Sequence, residues 1–186
     1  MDAVSRFIVI KGLLDHGCLV GRKRIFIMGS PGYNVAPAHN LDDVSFERNP
    51  YSMSLAHDTT IACNEALVYE LSKHYPDAHV FGLNPGWIKS ADSQQSGGSY
   101  SVFSSSVASF WDFFSTTPDV YVARAALPLA LTADLDSTTN KMFNEKGKEI
   151  PTRGWVANEN NRAKVWNESA KLVAAIEARV AAAKQG

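Results

Sequence analysis

Two short apolar segments decide the fold of this chain: RIFIM at residues 24–28 and HVFGL at residues 79–83. Neither segment alternates polar with apolar residues, which is typical of strands that are covered on both faces. Residues 54–75 lie between them in a helical pattern that no Pro or Gly interrupts. A strand, a long helix and a second strand predict a βαβ unit, so we expect two parallel strands joined by a right-handed crossover.

Further predicted elements extend this unit in both directions. Residues 7–14 indicate the buried part of a helix that ends at Gly17, and residues 141–143 indicate a third short strand. Helical patterns also run over about 118–132 and, as a terminal amphipathic helix, over 162–184. We therefore predict an α/β fold of the Rossmann-like, doubly wound type, truncated to about three parallel strands with flanking helices. It forms a single domain over residues 1–186.

The composition is that of a globular protein without a strong charge. The 186 residues are 45% hydrophobic, and 18 basic against 19 acidic side chains give a formal net charge of −1, which argues against a general nucleic-acid-binding surface. No apolar run approaches the ~20 residues that a membrane helix needs, so we expect a cytoplasmic protein without a membrane span. Cys18 and Cys63 are expected to be buried free thiols, and no metal-ligand spacing is present.

Residues 91–118 mix Ser and Gly with large apolar residues. The stretch QQSGGS at 94–99 alone would suit a flexible linker. Large apolar residues follow it at once, among them Phe103, Phe110 and Trp111. The mixture favours a substrate-side loop or lid over an apolar pocket.

Motifs at the strand ends resemble one enzyme family. Gly29-Ser30 ends the first strand, NPGWIKS at 84–90 ends the second, and KMFNEKGKE stands at 141–149. Their order and spacing, from about residue 2 to about residue 175, resemble the C-terminal part of short-chain dehydrogenase/reductases, nearest to the retinol-dehydrogenase-like branch. The resemblance implies a biosynthetic oxidoreductase that moves hydride between NAD(P) and a hydrophobic alcohol or carbonyl compound.

The resemblance implies a catalytic Ser, Tyr and Lys, usually assisted by an Asn, of which only the Ser is retained. Ser30 matches the Ser that fixes the substrate oxygen, and Asp2 falls at the Asn position. On the long helix, His57 stands at the Tyr position and Ile61 at the Lys position. Without a Lys charge, nothing lowers the pKa of a phenol from ~10 towards neutrality. We therefore expect the family's hydride-transfer mechanism to be impaired or inactive in this chain.

The resemblance also implies cofactor contacts beyond the second strand. Pro85 and Gly86 match the turn that faces the nicotinamide, and Ser90 matches a Thr that contacts the cofactor phosphates. The family's Gly-rich, pyrophosphate-binding turn does not occur in these 186 residues. We therefore expect NAD(P) to bind poorly to this chain.

Three functions remain open on the sequence. The first is the oxidoreductase activity that descent implies. The second is a redox-neutral acid–base enzyme, such as an isomerase, dehydratase or cyclase, that uses Ser30 and His57 on a small hydrophobic substrate. The third is a pseudoenzyme or partner-binding subunit. Strand 24–28 is expected to have an unpaired edge, which favours pairing as a homodimer or with another subunit.

Overall fold

A computed structural model describes residues 2–19, 21, 23–41, 43, 46–88 and 116–184 of the chain. The longer elements follow one another in this order: α1 (Asp2–Asp15), β1 (Arg24–Met28), α2 (Met53–His74), β2 (His79–Leu83), α3 (Pro118–Tyr121), α4 (Leu127–Leu131), β3 (Lys141–Phe143), β4 (Glu149–Ile150) and α5 (Glu159–Ala183). A π-helical segment, Val122–Ala126, joins α3 to α4. Short 3-10 helices occupy Ala38–Leu41, Ala133–Leu135 and Gly154–Ala157.

The strands form one sheet in the order β1-β2-β3-β4. β1 and β2 pair in parallel, from Arg24 opposite His79 to Met28 opposite Leu83. β3 pairs in parallel with β2, and β4 runs antiparallel to β3. The predicted βαβ unit and the three parallel strands are confirmed, and the fold is a Rossmann-like α/β fold.

The crossover helix α2 is the centre of the core. It begins after Ser52, whose hydroxyl accepts the Leu55 N–H at 3.5 Å and so caps an otherwise unsatisfied donor. It ends just before Pro76, a residue that cannot continue a helix. Ala62 and Ala66 are fully buried, and as they are four residues apart they lie on the same face of the helix. Their small side chains belong to the apolar core that α2 shares with its neighbours.

Helices cover both faces of the sheet. On one face α1, α2 and α5 share an apolar core with β1 and β2, which includes Phe7, Leu67, Leu71, Val80 and Val165. On the other face Phe81 and Phe143 pack with Leu129 of α4 and with Leu135. Neighbouring residues of β2 thus contribute to opposite cores, as the doubly wound arrangement requires.

β1 lies at one edge of the sheet that the described residues form. Met28 is 43% exposed, and Val9 on the adjoining helix α1 is 59% exposed. The guanidinium group of Arg6 donates to the Met28 carbonyl oxygen, so a side chain takes the place of a neighbouring strand there. The unpaired edge that the sequence predicts is therefore present in this part of the chain, whereas α1 is only half-buried.

The limits of several elements and the exposure of one cysteine differ from the predictions. The terminal helix begins at Glu159, three residues earlier than predicted, because Asn158 caps it through the Asn160 N–H. β4 was not predicted at all. The prediction that both cysteines are buried was wrong for Cys18, which lies in the exposed turn after α1. Of the predicted loop at 91–118, only residues 116–118 belong to the described chain, so the lid stays a prediction.

Candidate functional site

Three strand ends meet at the carboxyl edge of the sheet and are joined by hydrogen bonds. The Asn84 side chain donates from Nδ2 to the Pro31 carbonyl oxygen at 3.1 Å, which links the end of β2 to the loop after β1. The Asn84 backbone N–H donates to Phe143 O at 2.8 Å, which links the same point to β3. The Asn84 side-chain oxygen accepts the Gly86 N–H at 2.9 Å and closes the turn. Asn84 therefore fixes the geometry of this edge.

An open cleft of about 370 Å³ lies at this edge of the sheet. Its lining comes from the loop after β1, the ends of β2 and β3, and the segment after β4: Pro31, Gly32, Tyr33, Asn84, Asn144, Ile150, Pro151 and Arg153. Ligands of open α/β sheets bind outside the carboxyl ends of the strands, so this position is the expected one for a substrate. The volume suits a small molecule.

A buried carboxyl group lies next to the wall of this cleft. Glu65 on α2 is 5% exposed, and burial raises the pKa of its carboxyl group to about 7, although a hydrogen bond from the Gly32 N–H opposes the rise. The adjacent Asn64 is also buried, and its Oδ1 has no hydrogen-bond partner among the described residues. Both side chains line a small space that Ser30 borders as well.

Tyr69, one helical turn beyond Glu65, ties the same region to the C-terminal segment. Its hydroxyl group is hydrogen-bonded to the Thr152 hydroxyl, and the Arg162 guanidinium lies 4.7 Å from the centre of its ring. Burial raises the pKa of the Tyr69 hydroxyl, and the nearby Glu65 carboxylate adds to the rise. Tyr69 thus stays a neutral phenol that holds residues 152–162 against α2.

The predicted catalytic residues occupy two different environments. Ser30 is half-buried at the end of β1, beside Asn64. His57 is exposed on the first turns of α2, and no contact in the described structure joins it to Ser30. Ile61 is 5% exposed, one turn before Asn64 on the same helix. The side chain of Asp2 lies outside the described residues. The roles of Ser30 and His57 stay predictions.

The described residues do not fit a complete NAD(P) site. Gly86 has φ +67, so only this residue type closes the turn easily, but its N–H is already bound to Asn84. The buried Ile61 side chain has no polar group to offer a ribose. Pro85 and Gly86 remain at the predicted place beyond β2, and Ser90 lies outside the described residues. We therefore derive no reaction step through this cofactor.

Two residues at this edge were missed by the sequence analysis. Glu65 stands within the apolar stretch IACNEALV (61–68) of α2, and a carboxyl group inside a buried helical stretch is a signal that could have identified it. Arg153 gives no such signal, because it reaches the cleft only through the pairing of β4 with β3.

A more enclosed cavity of about 140 Å³ lies between α1, α2 and α5, lined by Leu41 and Leu172 among others, away from Ser30 and Asn84. No group of three metal-ligating side chains occurs in the part of the chain that the structure describes. Within the same residues, no helix combines the length and the apolarity needed to cross a membrane.

Comparisons with known proteins give a distant likeness. No protein-family model matches the chain. The uncharacterized oxidoreductase YKL107W of Saccharomyces cerevisiae is 29% identical over 127 residues, which are 68% of this chain and 40% of the relative. An uncharacterized protein of Mycobacterium paratuberculosis has a solved structure with a TM-score of 0.52 and 19% identity, covering 81% of this chain and 50% of that one. The chain thus spans half or less of each of these proteins, and the second likeness concerns the fold alone.

Proposed function

We propose that this chain is an oxidoreductase by descent and that its substrate site is the cleft at the carboxyl edge of the sheet. The likeness to a yeast oxidoreductase supports the kind of enzyme. The convergence of three strand ends on one cleft supports the place. The substrate that we propose is a small hydrophobic alcohol or carbonyl compound. Because the chain spans 40% of that relative, the activity of the whole protein belongs to this proposal as well.

We also propose that this chain alone does not transfer hydride. The observation that supports this is the burial of Ile61. A Cβ on Gly29 would lie 3.5 Å from Cβ of Asn64, so this stripe of α2 faces the end of β1. Ile61 precedes Asn64 by three residues and lies on the same stripe. The family's Lys would stand here. An aliphatic side chain supplies neither its charge nor its hydrogen bonds.

Ser30 and His57 keep roles that need no hydride. The Ser30 hydroxyl group, at the end of β1, can hold a carbonyl or hydroxyl oxygen of the substrate. Neither Ser30 nor His57 is among the described residues that line the cleft, so an acid–base role of the exposed His57 side chain stays a proposal from the sequence. Loss of turnover in both Ser30→Ala and His57→Ala would support these roles, with Ser54→Ala as the control on the same exposed helix start. Full activity of either of the first two variants would remove that residue from the mechanism.

Titration of NADPH and NADH into the purified chain tests the proposal. We expect no binding tighter than about 1 mM by calorimetry, because the ribose-holding group is absent. Tryptophan fluorescence and circular dichroism must show that the protein is folded. Micromolar binding of either coenzyme by the folded chain would contradict the proposal that this chain alone does not transfer hydride.

A second candidate, a partner-binding subunit, is favoured by the exposed edge of β1. We propose that a second copy or another subunit pairs there, since an unpaired strand with exposed apolar neighbours is prone to association. Met28→Lys should then shift the sedimentation coefficient towards that of a monomer. Leu131→Lys, at a 72% exposed apolar residue of α4, is the control and should change nothing. A wild-type chain that stays monomeric at high concentration would argue against this candidate.

A further inference from the structure

We propose that the cleft at the carboxyl edge binds a small hydrophobic compound that bears a carboxylate group, and that Arg153 holds this carboxylate. The inference rests on the proposed function, because it takes this cleft as the substrate site and narrows the class of substrate. It concerns binding alone and involves no coenzyme.

The first reason is that the Arg153 side chain lies at the cleft without a partner among the described residues. Among the described residues that line the cleft, Arg153 alone is charged. Its guanidinium group has no hydrogen bond or ion pair with any residue that the structure describes. Other arginines are engaged: Arg24 pairs with Asp136, and Arg162 donates to Val156 O and Ala157 O. A guanidinium without a partner among the described residues, placed at a cleft, matches the planar geometry of a carboxylate.

The balance of donors and acceptors is the second reason. Both polar groups of the Asn84 side chain are used within the protein. Oδ1 of Asn144 accepts the N–H groups of Lys146 and Lys148, each at 3.0 Å, so its Nδ2 remains as a donor. Tyr33 adds a half-exposed phenol. Among the described side chains that line the cleft, the unused polar groups are therefore mainly donors, which a ligand rich in acceptors satisfies.

The apolar part of the lining indicates the rest of the ligand. Pro31, Ile150 and Pro151 and the ring of Tyr33 supply the non-polar surface. An inorganic anion would leave this apolar surface exposed to solvent, whereas the hydrophobic part of an organic carboxylate would cover it. The shared chemistry is an anion for Arg153, and the apolar walls favour a carboxylate on a hydrophobic body over free phosphate.

Matched probes test the inference. Phenylpyruvate carries a phenyl ring, a ketone and a carboxylate, and phenylacetone keeps the ring and the ketone without the carboxylate. Both are titrated into the folded wild-type chain by calorimetry at neutral pH, alongside inorganic phosphate. We expect phenylpyruvate to bind about tenfold more tightly than phenylacetone, the change that a charge-assisted hydrogen bond produces at a partly exposed site.

Variants assign the preference to Arg153. Arg153→Gln should lower the affinity for phenylpyruvate to that for phenylacetone, and Arg153→Lys should keep part of the difference because it retains the charge. Arg179→Gln, on the exposed end of α5, is the control and should bind as the wild type does. Circular dichroism must show that all three variants are folded.

Several results would overturn the inference: equal affinity of the wild type for acid and ketone, an unchanged preference in Arg153→Gln, phosphate binding as tight as that of phenylpyruvate, or no binding of either organic probe. None of these results bears on the loss of hydride transfer, which the coenzyme titration decides. The two proposals therefore fail separately.

Discussion

The backbone N–H of Gly32 interacts with the buried carboxyl group of Glu65 and partly offsets the rise in its pKa. Gly32 lines the cleft, whereas Glu65 belongs to the crossover helix α2. This contact therefore joins the wall of the candidate site to the core. A single N–H does not replace the water molecules that burial removes from a carboxylate. The charged form of Glu65 is therefore less stable in the folded protein than in water, and its pKa is raised.

The stability of the protein should fall with rising pH because of Glu65. The pKa of this group rises from 4.5 in the unfolded chain to about 7 in the folded one. Below about pH 4.5 both states are protonated and the group has no effect; above about pH 7 its ionisation costs the folded state about 3 kcal/mol. Glu65→Gln is neutral throughout, so at about pH 8 it should be more stable than the wild type by up to that amount. Urea unfolding measures the difference.

The matched control for this prediction is Glu177→Gln, on the exposed end of α5. It should follow the wild type at every pH. At about pH 4, where Glu65 is protonated, Glu65→Gln and the wild type should differ by less than about 1 kcal/mol. An equal pH dependence of wild type and Glu65→Gln would contradict the assignment of the raised pKa to this carboxyl group.

Gly82 in β2 should not tolerate a side chain. A Cβ at this position would overlap the sulfur atom of Met142, which is buried in β3, and would lie 3.5 Å from Val68 Cγ2. Gly82→Ala should lower the free energy of unfolding by about 1–3 kcal/mol because the core is overpacked. In a double-mutant cycle, Gly82→Ala combined with Met142→Ala should cost less than the sum of the two single changes. Strict additivity would show that the two sites do not share the space.

Phe7 should be the anchor of α1. It is fully buried, and its ring lies edge-on to Trp166 with 4.9 Å between the ring centres. Phe7→Ala should lower the free energy of unfolding by about 3–5 kcal/mol and alter the tryptophan fluorescence of the folded state. Val9→Ala, on the same helix and exposed, should stay within about 0.5 kcal/mol of the wild type. Equal effects of the two changes would mean that α1 is not held by this contact.

The two cysteines should react at very different rates. Cys18 is exposed, whereas Cys63 is buried and burial raises the pKa of its thiol to about 12. Since the thiolate is the reactive form, Ellman's reagent at mildly alkaline pH should modify one thiol per folded chain and two in guanidinium chloride. Cys18→Ser should abolish the native reaction. Rapid modification of Cys63 in the native state would show that the packing of α2 opens readily.

Local patterns were sufficient to predict the three parallel strands and the crossover helix. The apolar runs at 24–28, 79–83 and 141–143 each end in a turn, so their limits were predicted without error. β4 was not predicted because a strand of two residues is too short to show a pattern of polar and apolar residues. Backbone and side-chain hydrogen bonds of Asn144 to residues 146–148 fold the chain back onto β3, and Lys141 and Glu149 form an ion pair across the two strands.

The site was predictable only in part, for a related reason. Ser30 and Pro85-Gly86 could be placed at strand ends from the sequence, because carboxyl ends of parallel strands share one edge. The apolar stretch at 61–68 marks Glu65 as unusual, but its burial depends on the tertiary structure, since a Glu on a helix is ordinarily exposed. It is buried because α2 packs against the sheet and the loop after β1 folds over it.

By itself the sequence determined the βαβ unit, its direction and the edge of the sheet that carries the strand-end motifs, because hydrophobic periodicity and turn residues act over a few neighbouring positions. The tertiary structure alone decided that a carboxyl group lies buried beside that edge and that Arg153 reaches the cleft. Glu65 and Gly32 are 33 positions apart in the sequence. The conformational preferences of neighbouring residues do not encode a contact over that distance. Only the packing of the helix, the sheet and the loop together fixes the polarity of the site.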